Sequence, residues 1–280
     1  MKGIINEYIN GSNGRPIVYD FLYDKKITKS PVVIFCHGYK GFKDWGAWPL
    51  LAKTLASNRV AFFKFNFSFN GGTLENPIDF PDLKAFSMNN YSKELSDLKS
   101  VVDWVYSEHK GNEALDTNNL VLMGHSRGGG ISTIYASEDK RIKKLVTLAG
   151  VSNFESRFPK GKALNDWKSN ILYYVRNTRT NQDMPHSFQF YKDFLANKNR
   201  LTISNAAKKL TVPHLIIHGD DDKAVNFNEA KELKTWSQNS VLFKIKGANH
   251  VFGAKHPWCK VKLPVDLAIV YSKIVDFINN

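Results

Sequence analysis

The sequence predicts an α/β fold built on a mainly parallel central sheet flanked by helices. Six short runs of β-branched and aromatic residues recur along the chain, at 32–36, 60–65, 120–123, 144–148, 214–217 and 241–245. Most are followed by a turn signal and a longer helical pattern, the rhythm of parallel strands joined by crossover helices. The runs are continuously apolar rather than alternating, as strands covered on both faces are. A chain of 280 residues buries roughly three quarters of its unfolded surface, enough for one core.

The chain opens with a predicted hairpin over 3–23. Strand 32–36 is followed by a helix over 47–58 and by strand 60–65. Residues 68–90 then form a long connection broken by Gly71-Gly72, Pro77 and Pro81; loops of that length in compact domains are often functional. A helix over 91–108 sets Leu95, Leu98, Val102 and Val105 on one face, a core-packing pattern without functional content. Strand 120–123 leads into a helix over 129–137, and strand 144–148 into the segment 152–211. This segment reads as helical and is rich in aromatics, among them Phe154, Phe158, Trp167, Tyr173, Phe190 and Phe194. An insertion of this size between two strands is expected to be a small helical cap over a pocket, the alternative being extra helices on the rim. The core domain is then 1–151 together with 212–280. Strand 214–217, a helix over 228–238, strand 241–245 and a helix over 265–279 complete it.

Composition narrows the function classes. Against 26 Asp and Glu stand 39 Lys and Arg, a formal charge of +13, which can attract nucleic acid, anionic lipid or acidic substrates. The lysines are scattered, however. Pairs such as Lys143-Lys144 and Lys208-Lys209 adjoin hydrophobic segments rather than forming a run with interleaved aromatics, so no nucleic-acid partner is expected. No segment approaches the length of a membrane span, and the first residues lack an apolar run of signal-peptide length. With Cys36 and Cys259 as the only cysteines, expected to be unpaired, the reading is a cytoplasmic protein with no membrane partner.

The chemistry concentrates where strand 120–123 runs into Gly124-His125-Ser126-Arg127-Gly128 and then a helix. G-x-S-x-G between a buried strand and a helix is the setting of a nucleophile elbow. Glycines on either side of Ser126 permit a tight, strained turn that holds the hydroxyl above the C-terminal edge of the sheet. The helix behind it offers free N–H groups and a positive dipole end where an oxyanion would form. A phosphate-cradling turn is the alternative, but the segment lacks the lysine of G-x-x-x-x-G-K-[ST] and the spacing of G-x-G-x-x-G.

A serine hydroxyl needs a base, and the base needs an acid to hold its tautomer. Strand 214–217 ends in His218-Gly219-Asp220-Asp221-Asp222, and strand 241–245 is followed by Lys246-Gly247-Ala248-Asn249-His250. Chain order is Ser, Asp, His, as in α/β folds that use this triad. Of the eight histidines, His37, His125, His214 and His218 adjoin other strands, while His186 and His256 lie elsewhere; His250 follows the last strand and is the expected base. The residues alone leave Asp220, Asp221 and Asp222 as acids. After strand 32–36, His37-Gly38-Tyr39 turns beneath the site, so the backbone N–H of Tyr39 is expected to pair with that of Arg127 around an oxyanion. His214 and His218, at i and i+4 on a strand, do not converge as they would on a helix, and neither a metal nor another cofactor is expected.

Taken together, His37-Gly38-Tyr39-Lys40-Gly41-Phe42-Lys43, Gly124-His125-Ser126-Arg127-Gly128-Gly129, His218-Gly219 with Asp222 and Val225, and Ala248-Asn249-His250 with Phe252 resemble an α/β-hydrolase. The likeness is to the dienelactone-hydrolase-like and bacterial cinnamoyl or feruloyl esterase branch, over nearly the whole chain. That resemblance implies the α/β-hydrolase fold and places the acid at Asp222, the third residue after the strand-ending glycine. It also implies that the 152–211 insertion is a cap whose aromatics line an acyl or aromatic pocket. Arg127 is a departure, since esterases of this branch often carry glutamine there. The expected activity is cleavage of a small-molecule carboxylic ester through an acyl-enzyme, with Ser126, His250 and Asp222 as the triad. Thioester cleavage, peptide cleavage or acyl transfer by the same triad, or a non-catalytic binding role, are the alternatives.

Overall fold

In the computed structural model, which describes residues 2–280, the chain begins with an antiparallel hairpin of β1 (Lys2–Asn10) and β2 (Pro16–Tyr23). Then follow β3 (Ser30–Cys36), α1 (Trp48–Ser57), β4 (Ala61–Phe65), α2 (Leu83–Ser87), α3 (Tyr91–Glu108), β5 (Leu115–His125), α4 (Arg127–Glu138) and β6 (Ile142–Leu148). The next stretch holds α5 (Lys162–Asn170), β7 (Leu172–Asn177), β8 (Gln182–Ser187), α6 (Gln189–Ala196), α7 (Lys198–Leu201) and α8 (Ile203–Lys209). The chain closes with β9 (His214–Gly219), α9 (Phe227–Trp236), β10 (Ser240–Ile245) and α10 (Val265–Asn279). The main sheet has eight strands in the order β1-β2-β4-β3-β5-β6-β9-β10. β2 pairs antiparallel with β1 and β4, and every pairing from β4 onward is parallel.

Strand periodicity divides the core. In β3, Val32, Ile34 and Cys36 face a layer formed by α3, α4, α8 and α9, whereas Val33 and Phe35 face α1 and α10. Both faces are covered, which is why the strand runs show no polar alternation. The parallel strands all present their C-terminal ends, Phe65, Cys36, His125, Leu148, Gly219 and Ile245, along one edge. Loops from that edge are where an α/β sheet binds ligands.

Two stretches differ from the sequence-based expectation. The connection 68–90 contains α2, started by the Asp82 side chain accepting from the Ala85 N–H at 2.8 Å. The segment 152–211, read as helical, also contains the antiparallel pair β7–β8. Its second strand, Gln-Asp-Met-Pro-His-Ser, carries a proline and no β-branched residue, so the strand signal is absent even though the pairing forms. This pair packs on the 68–90 connection: Gln182 Nε2 donates to the Phe80 carbonyl at 3.1 Å, and Arg179 pairs with Asp79. Behind the β3–α1 loop, the buried Lys43 bridges Asp20 (2.8 Å) and Asp44 (2.6 Å), and the buried Lys64 pairs with the same two carboxylates. Cys36 is buried, Cys259 is exposed, and neither is in a disulfide. Among the described residues no helix is long and apolar enough to cross a membrane.

Candidate active site

Between the end of β5 and the start of α4, Ser126 adopts φ 55° and ψ −119°, a strained region for a residue with a side chain. The turn is held by backbone bonds: the Ser126 N–H donates to Leu148 O at 2.9 Å, and its carbonyl accepts from Gly129 (3.0 Å) and Val151 (3.1 Å). It also demands glycine on both sides. A Cβ at Gly124 would stand 2.2 Å from Gly128 O, and one at Gly128 would stand 2.3 Å from Cys36 O. The elbow and the end of β3 therefore touch through backbone alone.

His250 sits in the turn after β10 with its side chain 22% exposed, and its Nδ1 meets Asp222 Oδ2 at 2.7 Å. Asp222 is fully enclosed. Its Oδ1 accepts from the N–H groups of Ala224 (2.8 Å) and Val225 (2.9 Å), while His218 Nε2 lies 3.3 Å from Oδ2. Burial alone would raise the carboxyl pKa; hydrogen bonds from His218, His250 and Val225 outweigh it and hold Asp222 well below the usual carboxylate range. Asp220 instead accepts from the Gly247 N–H at 2.6 Å, and Asp221 pairs with Lys223 at 2.5 Å on the surface. Of the three carboxylates the residues left open, Asp222 is the one that meets His250.

The other histidines have different partners. His125 Nε2 donates to the His250 carbonyl at 2.9 Å, tying the elbow to the histidine loop. Burial, reinforced by His250, pulls the His125 pKa down to about 3, so it stays neutral. His37 Nδ1 donates to Gly38 O, His214 shares a hydrogen bond with Thr147, and His256 Nδ1 accepts from Gly46. His218 donates to Val225 O at 2.9 Å and braces Asp222 from behind, a role the sequence does not signal beyond its place before Gly219. Among the described residues no group of three or more His, Cys, Asp or Glu side chains is arranged to hold a metal ion.

Tyr39 and Arg127 line the same cavity as Ser126, and among the described residues neither backbone N–H has an acceptor. The Tyr39 hydroxyl shares a 2.7 Å hydrogen bond with His186 Nε2 on β8. The Arg127 guanidinium turns inward, 14% exposed, over the rings of Tyr39 (4.4 Å), Tyr91 (5.3 Å) and Phe190 (5.4 Å). Ser126, His250, Tyr39 and Arg127 all open on a cavity of about 590 Å³ whose far wall comes from Phe154, Phe158, Trp167 and other aromatics of the 152–211 segment.

A family model described as the alpha/beta hydrolase fold matches residues 31–202. The chain belongs to that family. A curated relative, the probable anguibactin biosynthesis thioesterase AngT of Vibrio anguillarum, is 25% identical over 165 residues; the match covers 52% of this chain and 65% of that protein. Among solved structures, Est1E of Butyrivibrio proteoclasticus with bound ferulic acid superposes at a TM-score of 0.72 and 20% identity, covering 98% of each chain. DcsB in complex with its substrate analogue superposes at 0.73 and 17% identity, covering 99% of this chain and 98% of that one. A putative dienelactone hydrolase from Klebsiella pneumoniae covers both chains fully at 0.63 and 15% identity. At these identities the likeness is one of fold.

Proposed function

We propose that this α/β-hydrolase cleaves a carboxylic ester of a small molecule through an acyl-enzyme, using Ser126 as nucleophile, His250 as general base and Asp222 as the orienting acid. The observation that carries the reading is the 2.7 Å contact of His250 Nδ1 with the enclosed Asp222 carboxylate, on the cavity that Ser126 also lines. A carboxylate on Nδ1 fixes the proton there and leaves Nε2 as the base. As Ser126 Oγ bonds to the acyl carbon, its proton passes to His250 Nε2. The C–O bond to the alcohol then breaks and that proton leaves with the alcohol. Water repeats the sequence, its proton passing through His250, and releases the acid and free Ser126. The carbonyl oxygen, anionic in between, is received by the N–H groups of Tyr39 and Arg127, each worth about 3 kcal/mol in such sites. No cofactor enters this scheme.

The segment 152–211 acts as a cap on a core of 1–151 and 212–280, its aromatics forming the acyl wall. The protein works in the cytoplasm on small molecules and needs neither nucleic acid nor membrane. Thioester cleavage is the second reading, favoured by the likeness to a protein named a thioesterase. Steady-state hydrolysis of matched p-nitrophenyl esters and acyl thioesters by wild type and Ser126→Ala tests both: the ester reading expects faster ester turnover that vanishes in the variant. Ester turnover that survives in folded Ser126→Ala would remove the assignment.

A further inference from the structure

We propose that the Arg127 side chain makes this cavity selective for acyl groups that carry a second, negatively charged carboxylate. The inference rests on the ester-cleaving reading of the same site and names its substrate class.

Arginine carries five N–H donors in a planar fork suited to a carboxylate. Among the described residues, the acceptor within reach of the Arg127 guanidinium is Glu94 Oε1, met through Nη1 at 3.4 Å. That is a poor counter-ion contact. The same Glu94 oxygen already takes Asn89 Nδ2 at 2.7 Å, and Glu94 Oε2 is buried with no hydrogen-bond partner. Burial raises the Glu94 carboxyl pKa against the pull of Arg127. The fork is thus largely out of water, stacked among Tyr39, Tyr91 and Phe190, and these rings line the same cavity as Arg127 and Ser126.

The rest of the lining points the same way. Lys40 and Arg157 also border the cavity, whereas no aspartate or glutamate does among the described residues. Arg157 is matched by Glu229, but among the described residues Lys40 has the Arg176 carbonyl, at 3.3 Å, as its one hydrogen-bond acceptor. An apolar, ring-lined space with excess positive charge at the nucleophile favours an acyl group with an apolar body and an anionic end, because a guanidinium out of water gains most from a bidentate carboxylate.

The test compares p-nitrophenyl half-esters of aliphatic and aromatic dicarboxylic acids with the same esters capped by methyl on the free carboxylate. Wild type should favour the best free acid over its capped form by about tenfold or more in kcat/KM, as charge-assisted hydrogen bonds of this kind imply. The ratio should fall to about one in Arg127→Gln and take an intermediate value in Arg127→Lys, which keeps a charge beside Glu94 but loses the fork. Titration calorimetry with the free dicarboxylic acids, on wild type and both variants, reads the same preference without catalysis. Arg127-dependent binding without turnover would support the inference while removing the ester-cleaving reading. Turnover with no preference for the free acid, or a preference and affinity unchanged in Arg127→Gln, would overturn the inference and leave that reading standing.

Discussion

Replacing Asp222 with asparagine separates two tasks of one carboxylate. Oδ1 holds the Ala224 and Val225 N–H groups at 2.8 and 2.9 Å, while Oδ2 takes the His250 Nδ1 proton at 2.7 Å. An amide keeps the first task, since its oxygen still accepts both backbone bonds, but it turns an NH₂ toward His250. The imidazole then has to accept at Nδ1 and carry its proton on Nε2, where it cannot receive one from Ser126. The expected loss in kcat is about 10⁴-fold, the scale seen when a triad histidine is held in the wrong tautomer, or about 5.4 kcal/mol of activation free energy. Stability should fall much less, by about 1–3 kcal/mol for the weakened bonds to His250 and His218. Asp222→Ala removes the backbone acceptor as well, stranding the buried Val225 N–H at about 1–3 kcal/mol and freeing the Ala224 N–H, which solvent can reach, so it should unfold in less urea than the asparagine variant. Steady-state kinetics and urea denaturation of both, with the surface variant Asp221→Asn as control, measure each quantity. If Asp222→Asn kept more than about a tenth of kcat, far above the expected loss, the tautomer reasoning would be refuted; equal stability of the two variants would refute the assignment of Oδ1.

Gly128→Ala places a methyl group 2.3 Å from Cys36 O and 2.5 Å from His37 O, both backbone atoms, so it should lower stability by about 1–3 kcal/mol and displace the strand end that leads to Tyr39; wild-type kcat in this variant would contradict that contact. Lys43→Met leaves Asp20 and Asp44 sharing Lys64 alone and should cost about 3–5 kcal/mol in urea unfolding, whereas a loss below about 1 kcal/mol would place the pair among weak surface bridges. Acid should destabilise the fold early. Burial depresses His37 to about 4 and His125, His186 and His214 to about 3. The unfolded chain therefore binds more protons than the native one below the ordinary imidazole value of about 6.5. Stability is fully present above that pH and is lost as pH falls toward the folded values, by up to about 1.4 kcal/mol per unit for each buried ring. Calorimetric Tm should drop steeply from pH 7 to pH 5, and a flat profile would show that these rings are not held neutral.

The central parallel strands were legible because they are covered on both faces and therefore written as largely apolar runs, such as Val-Val-Ile-Phe-Cys in β3, whereas the edge strand β10 is half exposed and was read from its Val, Leu, Phe and Ile. Helix α3 was legible from the period of Leu95, Leu98 and Val102. Helix α4 begins at Arg127, ahead of the expected 129, because its first turn holds three consecutive glycines whose low helix propensity is overridden by packing on β3 and β6. The β7–β8 pair stayed hidden because one partner lacks strand composition. At the site, the elbow around Ser126 was written in the local sequence. The choice among Asp220, Asp221 and Asp222 was not, since it depends on where each carboxylate points after Gly219, and only the family resemblance favoured Asp222. The surroundings of the Arg127 side chain were beyond sequence reasoning, because Glu94 and Tyr91 on α3, Tyr39 after β3 and Phe190 on α6 reach it from three separate parts of the chain.

The most direct measurement of the proposed catalytic assignment is reaction of the purified protein with a fluorophosphonate, followed by peptide mapping in a mass spectrometer, with His250→Ala treated in parallel. An activated Ser126 gives one adduct, on that residue, and the adduct is lost or strongly slowed in the folded variant. A folded wild-type protein that takes no label, or an adduct on another residue that persists without His250, would contradict the proposed triad.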